Sequence, residues 1–307
     1  MRPSLPLVIA VLAAGLAMLA SACVPVVAQG FRERLQRARE ASLRPAAQPP
    51  ALPAGARRVA DLAYGDDPRQ TFDAYLPAQA RGAPVLLFVH GGGWAHGNKD
   101  NPGNIPDKAG YWLPKGYVLV STNYRMRPDT TPLDQARDIA RALAAVQRHA
   151  PDWNADPARV VLMGHSAGAH LAALVAASPT LWRQAGASRP LGVVSLDSGA
   201  LDVPDLMRRP RIPQLYHRAF GDDPDDWIAA SPHHQLTREG SPMLLVCSTR
   251  RPDACPQGRA MQQKASALGV RIEVLEQDLS HGEVNRLLGT RSDYTEAVDR
   301  FIRSLPD

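Results

Sequence analysis

The chain has 307 residues, of which 45% are hydrophobic and 21% charged, with a formal net charge of +5. This length allows one large domain or two small ones, with a full-sized hydrophobic core. Residues 29–58 contain seven arginines and two glutamates, a net charge of +5, and Arg2 adds one more, so the rest of the chain carries about −1. The basic character therefore belongs to one short segment, and it does not support nucleic-acid binding.

Residues 1–28 have the features of a secretory signal peptide. Arg2 precedes an almost wholly apolar stretch over residues 5–19, which ends in small residues just before Cys23. We therefore predict an exported protein that is periplasmic, envelope-anchored or secreted. The sequence before Cys23 is similar to a lipoprotein box, so one alternative is a membrane tether through lipidated Cys23. Cleavage after Ala28 is the competing alternative and would remove that cysteine.

The sequence after the predicted signal peptide indicates a linker followed by one folded domain. Residues 29–57 are rich in arginine, proline and alanine, which is typical of an extended tether, and the domain is predicted over residues 58–307. Strands are predicted at residues 59–64, 71–76, 84–89, 117–121, 160–163, 191–196, 243–247 and 270–275. Helices are predicted up to residue 112 and at residues 132–150, 169–177, 256–268 and 291–304.

Continuous apolar strands that alternate with amphipathic helices predict an α/β fold, in which a mostly parallel sheet has helices on both faces. Active sites in such sheets lie beyond the carboxyl ends of the strands. Residues 198–236 interrupt the alternation with five prolines and no clear strand. We predict that this segment forms a small helical cap over the site.

The strand over residues 160–163 runs into the sequence Gly-His-Ser-Ala-Gly at residues 164–168, and a helix follows. Strand, Gly-x-Ser-x-Gly and helix together are typical of a nucleophile elbow, with Ser166 as the nucleophile. The turn is so sharp that side chains at Gly164 and Gly168 would collide, which explains the two glycines.

A second glycine-rich segment, His-Gly-Gly-Gly-Trp at residues 90–94, follows the strand that ends at Val89. Its backbone N–H groups can turn inward and stabilise the negative oxygen formed when an ester is attacked. We assign this oxyanion role to the N–H groups of Gly92, Gly93 and Ala167. Trp94 is predicted to line the substrate pocket, and His90 to order the loop.

The nucleophile needs a base, and the base needs a carboxylate. Of nine histidines, His281 is the best placed, because it follows the last strand. Asp253 is predicted to be the carboxylate, since it follows the seventh strand and gives the chain order Ser166, Asp253, His281. Asp202 and Asp278 are the alternatives for this carboxylate. Two cysteines, Cys247 and Cys255, flank the loop of Asp253. They could form a disulfide or remain as two buried thiols, and the sequence leaves both alternatives open.

These motifs together resemble the α/β-hydrolase carboxylesterases. The closer resemblance is to the hormone-sensitive-lipase-like branch and to the feruloyl-esterase and kynurenine-formamidase-like branch, over about residues 58–305. One departure is that the chain has Cys247-Ser248 where relatives have His-Gly after the seventh strand. The resemblance implies an α/β-hydrolase fold and a catalytic triad that needs no metal or organic cofactor.

The expected function is therefore hydrolysis of small-molecule carboxylic esters through a Ser-His-Asp triad and an acyl-enzyme intermediate. Three alternatives are an aryl-formamidase-type amidase, an acetyl or feruloyl esterase acting on polysaccharide, and a non-catalytic binding protein on a hydrolase scaffold. Acyl-chain length, the alcohol group and the oligomeric state have no signal in the sequence.

Overall fold

The structure of the protein is a computed structural model, which describes residues 52–101 and 103–306. The predicted signal peptide, Cys23 and most of the predicted linker lie outside the described residues. Within the described part, no helix combines the length and the apolar character needed to cross a bilayer.

A single eight-stranded sheet forms the centre of the domain, with strand order β1-β2-β4-β3-β5-β6-β7-β8. Strands β1 and β2 pair antiparallel, as do β2 and β4, and all other neighbours are parallel. The strands are β1 (Arg57–Ala63), β2 (Thr71–Leu76), β3 (Ala83–Val89), β4 (Val118–Thr122), β5 (Ala155–His165), β6 (Gly192–Leu196), β7 (Met243–Ser248) and β8 (Ile272–Gln277). Each of them overlaps a predicted strand.

Eleven α-helices in the described residues surround the sheet. They are α1 (Pro106–Trp112), α2 (Pro132–His149), α3 (Ala167–Ala177), α4 (Pro179–Gln184), α5 (Val203–Met207), α6 (Gln214–Phe220), α7 (Pro224–Ala229), α8 (Pro232–Gln235), α9 (Ala254–Leu268), α10 (His281–Arg286) and α11 (Ser292–Arg303). The capping expected before α2 is present, because the hydroxyl of Thr131 accepts a hydrogen bond of 3.2 Å from Asp134 N–H.

The central strands are buried on both faces, so their side chains build two separate cores. Along β3, Leu87 packs into the core beneath α2 and α3, whereas Leu86 and Phe88 pack into the core with α1 and α11. Successive side chains of a strand point to opposite faces, which is why an uninterrupted apolar run is needed here. The sheet is therefore covered by helices on both sides.

The carboxyl ends of the parallel strands carry the chemistry-bearing residues. His90 directly follows β3, Ser166 follows β5, Asp197 follows β6, and His281 lies four residues beyond β8. Between β6 and β7, the cap segment (residues 198–236) forms helices α5 to α8 and contains no strand. Because parallel strands end at the same edge, residues far apart in sequence meet there.

Candidate active site

Ser166 lies on a sharp turn between β5 and α3. Its backbone has φ +57° and ψ −118°, a conformation that costs a non-glycine residue about 1–3 kcal/mol. The expected steric role of the glycines is seen directly. A Cβ at Gly164 would lie 2.3 Å from the carbonyl oxygen of Gly168, and a Cβ at Gly168 would lie 2.2 Å from that of Val89. Only glycine allows α3 to approach β3 and β5 this closely.

The imidazole of His281 connects the serine to a carboxylate. Its Nε2 lies 3.0 Å from Ser166 Oγ, and its Nδ1 lies 2.6 Å from Asp197 Oδ2. His281 is the first residue of α10, whose start is fixed by a capping box between Ser280 and Glu283. No helix was predicted at His281, although Ser280 and Glu283 have the spacing of a capping box.

The carboxylate in contact with His281 is Asp197, which corrects the assignment of Asp253. Asp197 follows β6 directly, has φ +58° and is fully buried. Asp253 instead accepts a hydrogen bond of 3.1 Å from Arg251 Nη2. The two alternatives lie elsewhere, because Asp202 caps α5 and Asp278 pairs with an exposed arginine. A survey of carboxylates at the end of every predicted strand would have found Asp197.

Several hydrogen bonds hold Asp197 in place. Its Oδ1 accepts from Ser248 N–H at 2.8 Å, and its Oδ2 accepts from Arg251 Nη1 at 3.0 Å. Burial alone would raise the pKa of Asp197, but the hydrogen bonds from His281 and Ser248 and the charge of Arg251 outweigh it and lower the pKa. Asp197 is therefore ionised at neutral pH and accepts a hydrogen bond from Nδ1–H of His281.

Arg251 is a neighbour of His281 that the sequence analysis did not assign to the site. Its guanidinium bridges the carboxylates of Asp197 and Asp253, and Nη1 lies 3.0 Å from His281 Nδ1. When Nδ1 carries the proton donated to Asp197, this last contact joins two donors and is not a hydrogen bond. Arg251 therefore restrains the carboxylates and does not orient the imidazole directly.

A disulfide between Cys247 and Cys255 closes the loop that carries Arg251 and Asp253, with a Cα–Cα distance of 5.2 Å. The sequence alone was compatible with this disulfide or with two buried thiols. Cys247 lies at the end of β7 and Cys255 at the start of α9, so the bond ties the loop at both ends. The disulfide therefore restrains the Arg251 guanidinium next to Asp197 and His281.

The glycine loop lies beside Ser166. Gly93 and Ala167 line the same pocket as Ser166, whereas Gly92 turns the chain, since its carbonyl accepts hydrogen bonds from residues 95 and 96. Within the described part of the chain, the N–H groups of Gly92 and Gly93 have no hydrogen-bond acceptor. Gly92 has φ +124° and Gly93 has φ +59°, which favour glycine at both positions.

The two histidines nearest to this loop and to the nucleophile are not available as bases. His90 stacks on Tyr124, and its Nδ1 lies 2.7 Å from the carbonyl oxygen of Gly91. Burial lowers the pKa of His90 to about 4 and that of His165 to about 3. His165 Nε2 lies 2.9 Å from the carbonyl oxygen of His281, so this imidazole supports the start of α10.

Trp94 forms part of the pocket wall and connects it to the cap segment. Its Nε1–H donates a hydrogen bond of 3.2 Å to His170 Nδ1, and His170 Nε2 lies 2.7 Å from the carbonyl oxygen of Ala230. His170 can satisfy both contacts only as the Nε2–H tautomer. Burial lowers the pKa of His170 to about 4, so the neutral form is kept.

The pocket above Ser166 has a volume of about 520 Å³ and is formed largely by the cap segment and the disulfide loop. Three arginines line it. Arg251 pairs with two carboxylates, and Arg209 forms an ion pair of 2.5 Å with Asp205. For Arg211, no ion-pair or hydrogen-bond partner is found among residues 52–101 and 103–306. Within these described residues, the pocket thus presents one unpaired positive charge, and most of its lining surface is apolar.

A mostly parallel sheet with a serine on a strand-to-helix elbow at its carboxyl edge defines the α/β-hydrolase fold. Comparison with a solved structure confirms this class. A truncated form of a carbohydrate esterase from gut microbiota superimposes with a TM-score of 0.72 at 17% sequence identity, covering 84% of this chain and 99% of that one. The fold prediction is therefore confirmed.

Sequence comparisons confirm the resemblance to the esterases of this class. The BD-FAE family matches residues 72–187. The chain is 37% identical over 114 residues to a probable isoprenylcysteine alpha-carbonyl methylesterase, ICMEL1, of Arabidopsis thaliana, covering 36% of this chain and 23% of that protein. It is 32% identical over 223 residues to esterase LipQ of Mycobacterium tuberculosis, covering 66% of this chain and 52% of that protein. The chain thus spans about a quarter to a half of these relatives.

Replacing both cysteines, Cys247→Ser with Cys255→Ser, should lower the free energy of unfolding by about 2–3 kcal/mol, because the unfolded chain is no longer constrained by a loop of this size. Denaturant unfolding of the wild type and the double variant, each with and without a thiol reductant, measures the effect. The reductant should shift only the wild type. Equal unfolding midpoints for all four samples would rule out a stabilising disulfide.

Proposed function

We propose that the chain is a serine hydrolase of carboxylic esters with Ser166, His281 and Asp197 as its catalytic triad. The observation that carries the proposal is the continuous chain of contacts from Ser166 Oγ through the imidazole to Asp197 Oδ2, at 3.0 and 2.6 Å. Nucleophile, base and orienting carboxylate are the three roles that acyl transfer by a serine requires. The esterase names of the relatives support the same class of reaction.

The acylation step follows from this geometry. His281 Nε2 removes the hydroxyl proton while Ser166 Oγ attacks the acyl carbon, and the tetrahedral intermediate places negative charge on the former carbonyl oxygen. The N–H groups of Gly92, Gly93 and Ala167 are the proposed donors to that oxygen. The imidazolium then protonates the leaving alcohol, and the acyl group stays on the serine.

Deacylation uses the same groups. His281 removes a proton from water, which attacks the acyl-enzyme, and the collapse of the second intermediate releases the carboxylic acid and restores the serine. Asp197 is ionised throughout, fixes the Nδ1–H tautomer and stabilises the imidazolium. Because burial excludes water from Asp197, this charge acts on the imidazole at reduced screening.

The pocket also supports a proposal on substrate charge. Arg211 provides a guanidinium that is unpaired within the described part of the chain, and the exposed Leu215 and the half-buried Ile212 provide apolar contact area. An ester with a short apolar chain that ends in a carboxylate matches both features. We include acetylated polysaccharide as a second substrate class, because one structure with the same fold is that of a carbohydrate esterase.

Export is part of the proposal and rests on residues 1–28. A signal peptide would deliver the chain to an oxidising compartment, where a disulfide such as Cys247–Cys255 is stable. The tether through Cys23 belongs to the same proposal.

A fluorophosphonate probe should label the wild type covalently, and Ser166→Ala should abolish labelling, because the variant lacks the activated hydroxyl. Ser188→Ala, which removes an exposed surface hydroxyl, is the matched control and should label normally. Mass spectrometry of the labelled peptide identifies the residue. Release of nitrophenol from 4-nitrophenyl butyrate should be lost together with labelling. Folded wild type that neither labels nor hydrolyses esters would leave only a non-catalytic binding role.

The carboxylate assignment predicts opposite results for two isosteric variants. Asp197→Asn should lower kcat on 4-nitrophenyl butyrate by about 10⁴-fold, because the amide stabilises the wrong imidazole tautomer. Asp253→Asn should stay within about tenfold of wild type, since Asp253 contacts Arg251 and not the imidazole. Similar thermal unfolding of both variants would show that folding is not the cause. A large loss in Asp253→Asn alone would reverse the assignment.

Arg211→Gln should lower kcat/KM for mono-4-nitrophenyl glutarate by about two- to fivefold, the effect expected when an exposed ion pair between Arg211 and the substrate carboxylate is lost. The kcat/KM for the uncharged 4-nitrophenyl butyrate should stay unchanged. Arg218→Gln, an exposed arginine of the cap segment outside the pocket, is the control. The selectivity for the charged ester should weaken with added salt. If both substrates respond equally to Arg211→Gln, the charge preference is wrong while the esterase proposal stands.

A further inference from the structure

Three potential metal ligands meet at the base of the cap segment. Asp202 caps the start of α5, and His233 and His234 are neighbours in α8. One ligand atom from each residue lies within 4.8 Å of the other two. None of the three residues contacts the proposed triad, so this cluster is independent of the esterase chemistry.

The separations suit a single ion. His233 Nδ1 lies 3.3 Å from Asp202 Oδ2, and His234 Nδ1 lies 3.6 Å from Asp202 Oδ1. Ligand atoms about 2.0–2.1 Å from a tetrahedral zinc ion lie roughly 3.3–3.4 Å from each other. The two short distances involve different oxygens of Asp202, so coordination through one atom of each residue requires the side chains to close in from separations of up to 4.8 Å.

The ligand nitrogens are not engaged elsewhere in a way that prevents coordination. His233 Nδ1 is buried and has no hydrogen-bond partner among the described residues, although the Asp202 carboxylate is near. His234 Nδ1 lies 3.0 Å from Ser231 Oγ. That hydroxyl already donates to Leu201 O and accepts from Val203 N–H, both at 3.2 Å, so it does not depend on the imidazole.

The surrounding charges and exposure also permit binding. Asp202 supplies a negative charge that Arg209 does not neutralise, since Arg209 pairs with Asp205. Lys264 is the nearby cation, and its ammonium group is held at the carbonyl oxygen of His233. The side chains of Asp202, His233 and His234 are 17%, 23% and 34% exposed, so an ion can enter and keep a water ligand.

We propose that Asp202, His233 and His234 bind one Zn²⁺ ion, with water completing the coordination. Two imidazole nitrogens and one carboxylate favour zinc over calcium or magnesium, which prefer oxygen ligands. The site joins the two ends of the cap segment, because Asp202 precedes α5 and the histidines lie in α8. Bound zinc therefore stabilises the cap, including Leu206 of α5, which lines the substrate pocket.

The test uses the full chain after removal of metal with EDTA and dialysis. Isothermal titration with ZnCl₂ should show one ion bound, and the thermal unfolding temperature should rise by several degrees. His233→Ala and Asp202→Asn should each weaken zinc binding at least tenfold and abolish the thermal shift. Asp202→Asn retains a side chain that can cap α5, so it separates loss of the ligand charge from loss of the helix start.

His217→Ala is the matched control, because His217 is an exposed histidine of the cap segment outside the cluster; it should bind zinc like the wild type. CaCl₂ and MgCl₂ should produce no shift. The proposal is overturned if metal-free wild type binds no zinc, or if His233→Ala and Asp202→Asn bind it as tightly as His217→Ala. Circular dichroism of each metal-free variant checks that it is folded.

Discussion

The contact between the buried Asp197 carboxylate and the imidazole of His281 determines how the rest of the site is built. A carboxylate without access to water must be satisfied by other groups, and here Ser248 N–H, Arg251 and His281 surround it. Together with Asp197 itself, these groups come from the ends of three strands, β6, β7 and β8, so the contact fixes those ends relative to one another. The position of Ser166 Oγ beside Nε2 follows from that arrangement.

Backbone packing imposes the second constraint. The strained turn at Ser166 exists because α3 is pressed against β3 and β5, with glycines at the points of contact. The same closeness brings Ala167 N–H and the glycine loop to one side of the nucleophile. The free energy gained by packing side chains in the two cores thus compensates for the strained backbone conformation of Ser166, which the isolated peptide would avoid. The positions of Ser166 and of the proposed oxyanion donors therefore follow from the same packing of α3 against the sheet.

The cap segment and the disulfide loop supply most of the residues that line the pocket. The pocket above Ser166 is shaped by α5, α6 and the loop between Cys247 and Cys255. Arg251 occupies the region in which the sequence analysis expected the carboxylate, and it binds both Asp197 and Asp253. The chain thus combines the α/β-hydrolase fold with an arginine-lined pocket and with an Asp-His-His cluster that joins the ends of the cap segment.

The sequence by itself determined the eight strands of the sheet, because apolar runs and the helices between them are local patterns. It also determined that Ser166 lies on a sharp strand-to-helix turn, because the flanking glycines are a local steric requirement. It identified His281 by its position after the last strand, but not the helix that begins there. Only the tertiary structure decided between Asp253, Asp202, Asp278 and the unconsidered Asp197. All follow or approach a strand end, and the choice depends on which carboxylate points toward Nδ1. That direction is set by backbone angles such as φ +58° at Asp197 and by Arg251 holding Asp253 away. Side-chain direction at a strand end is a long-range property, so local sequence patterns do not contain it.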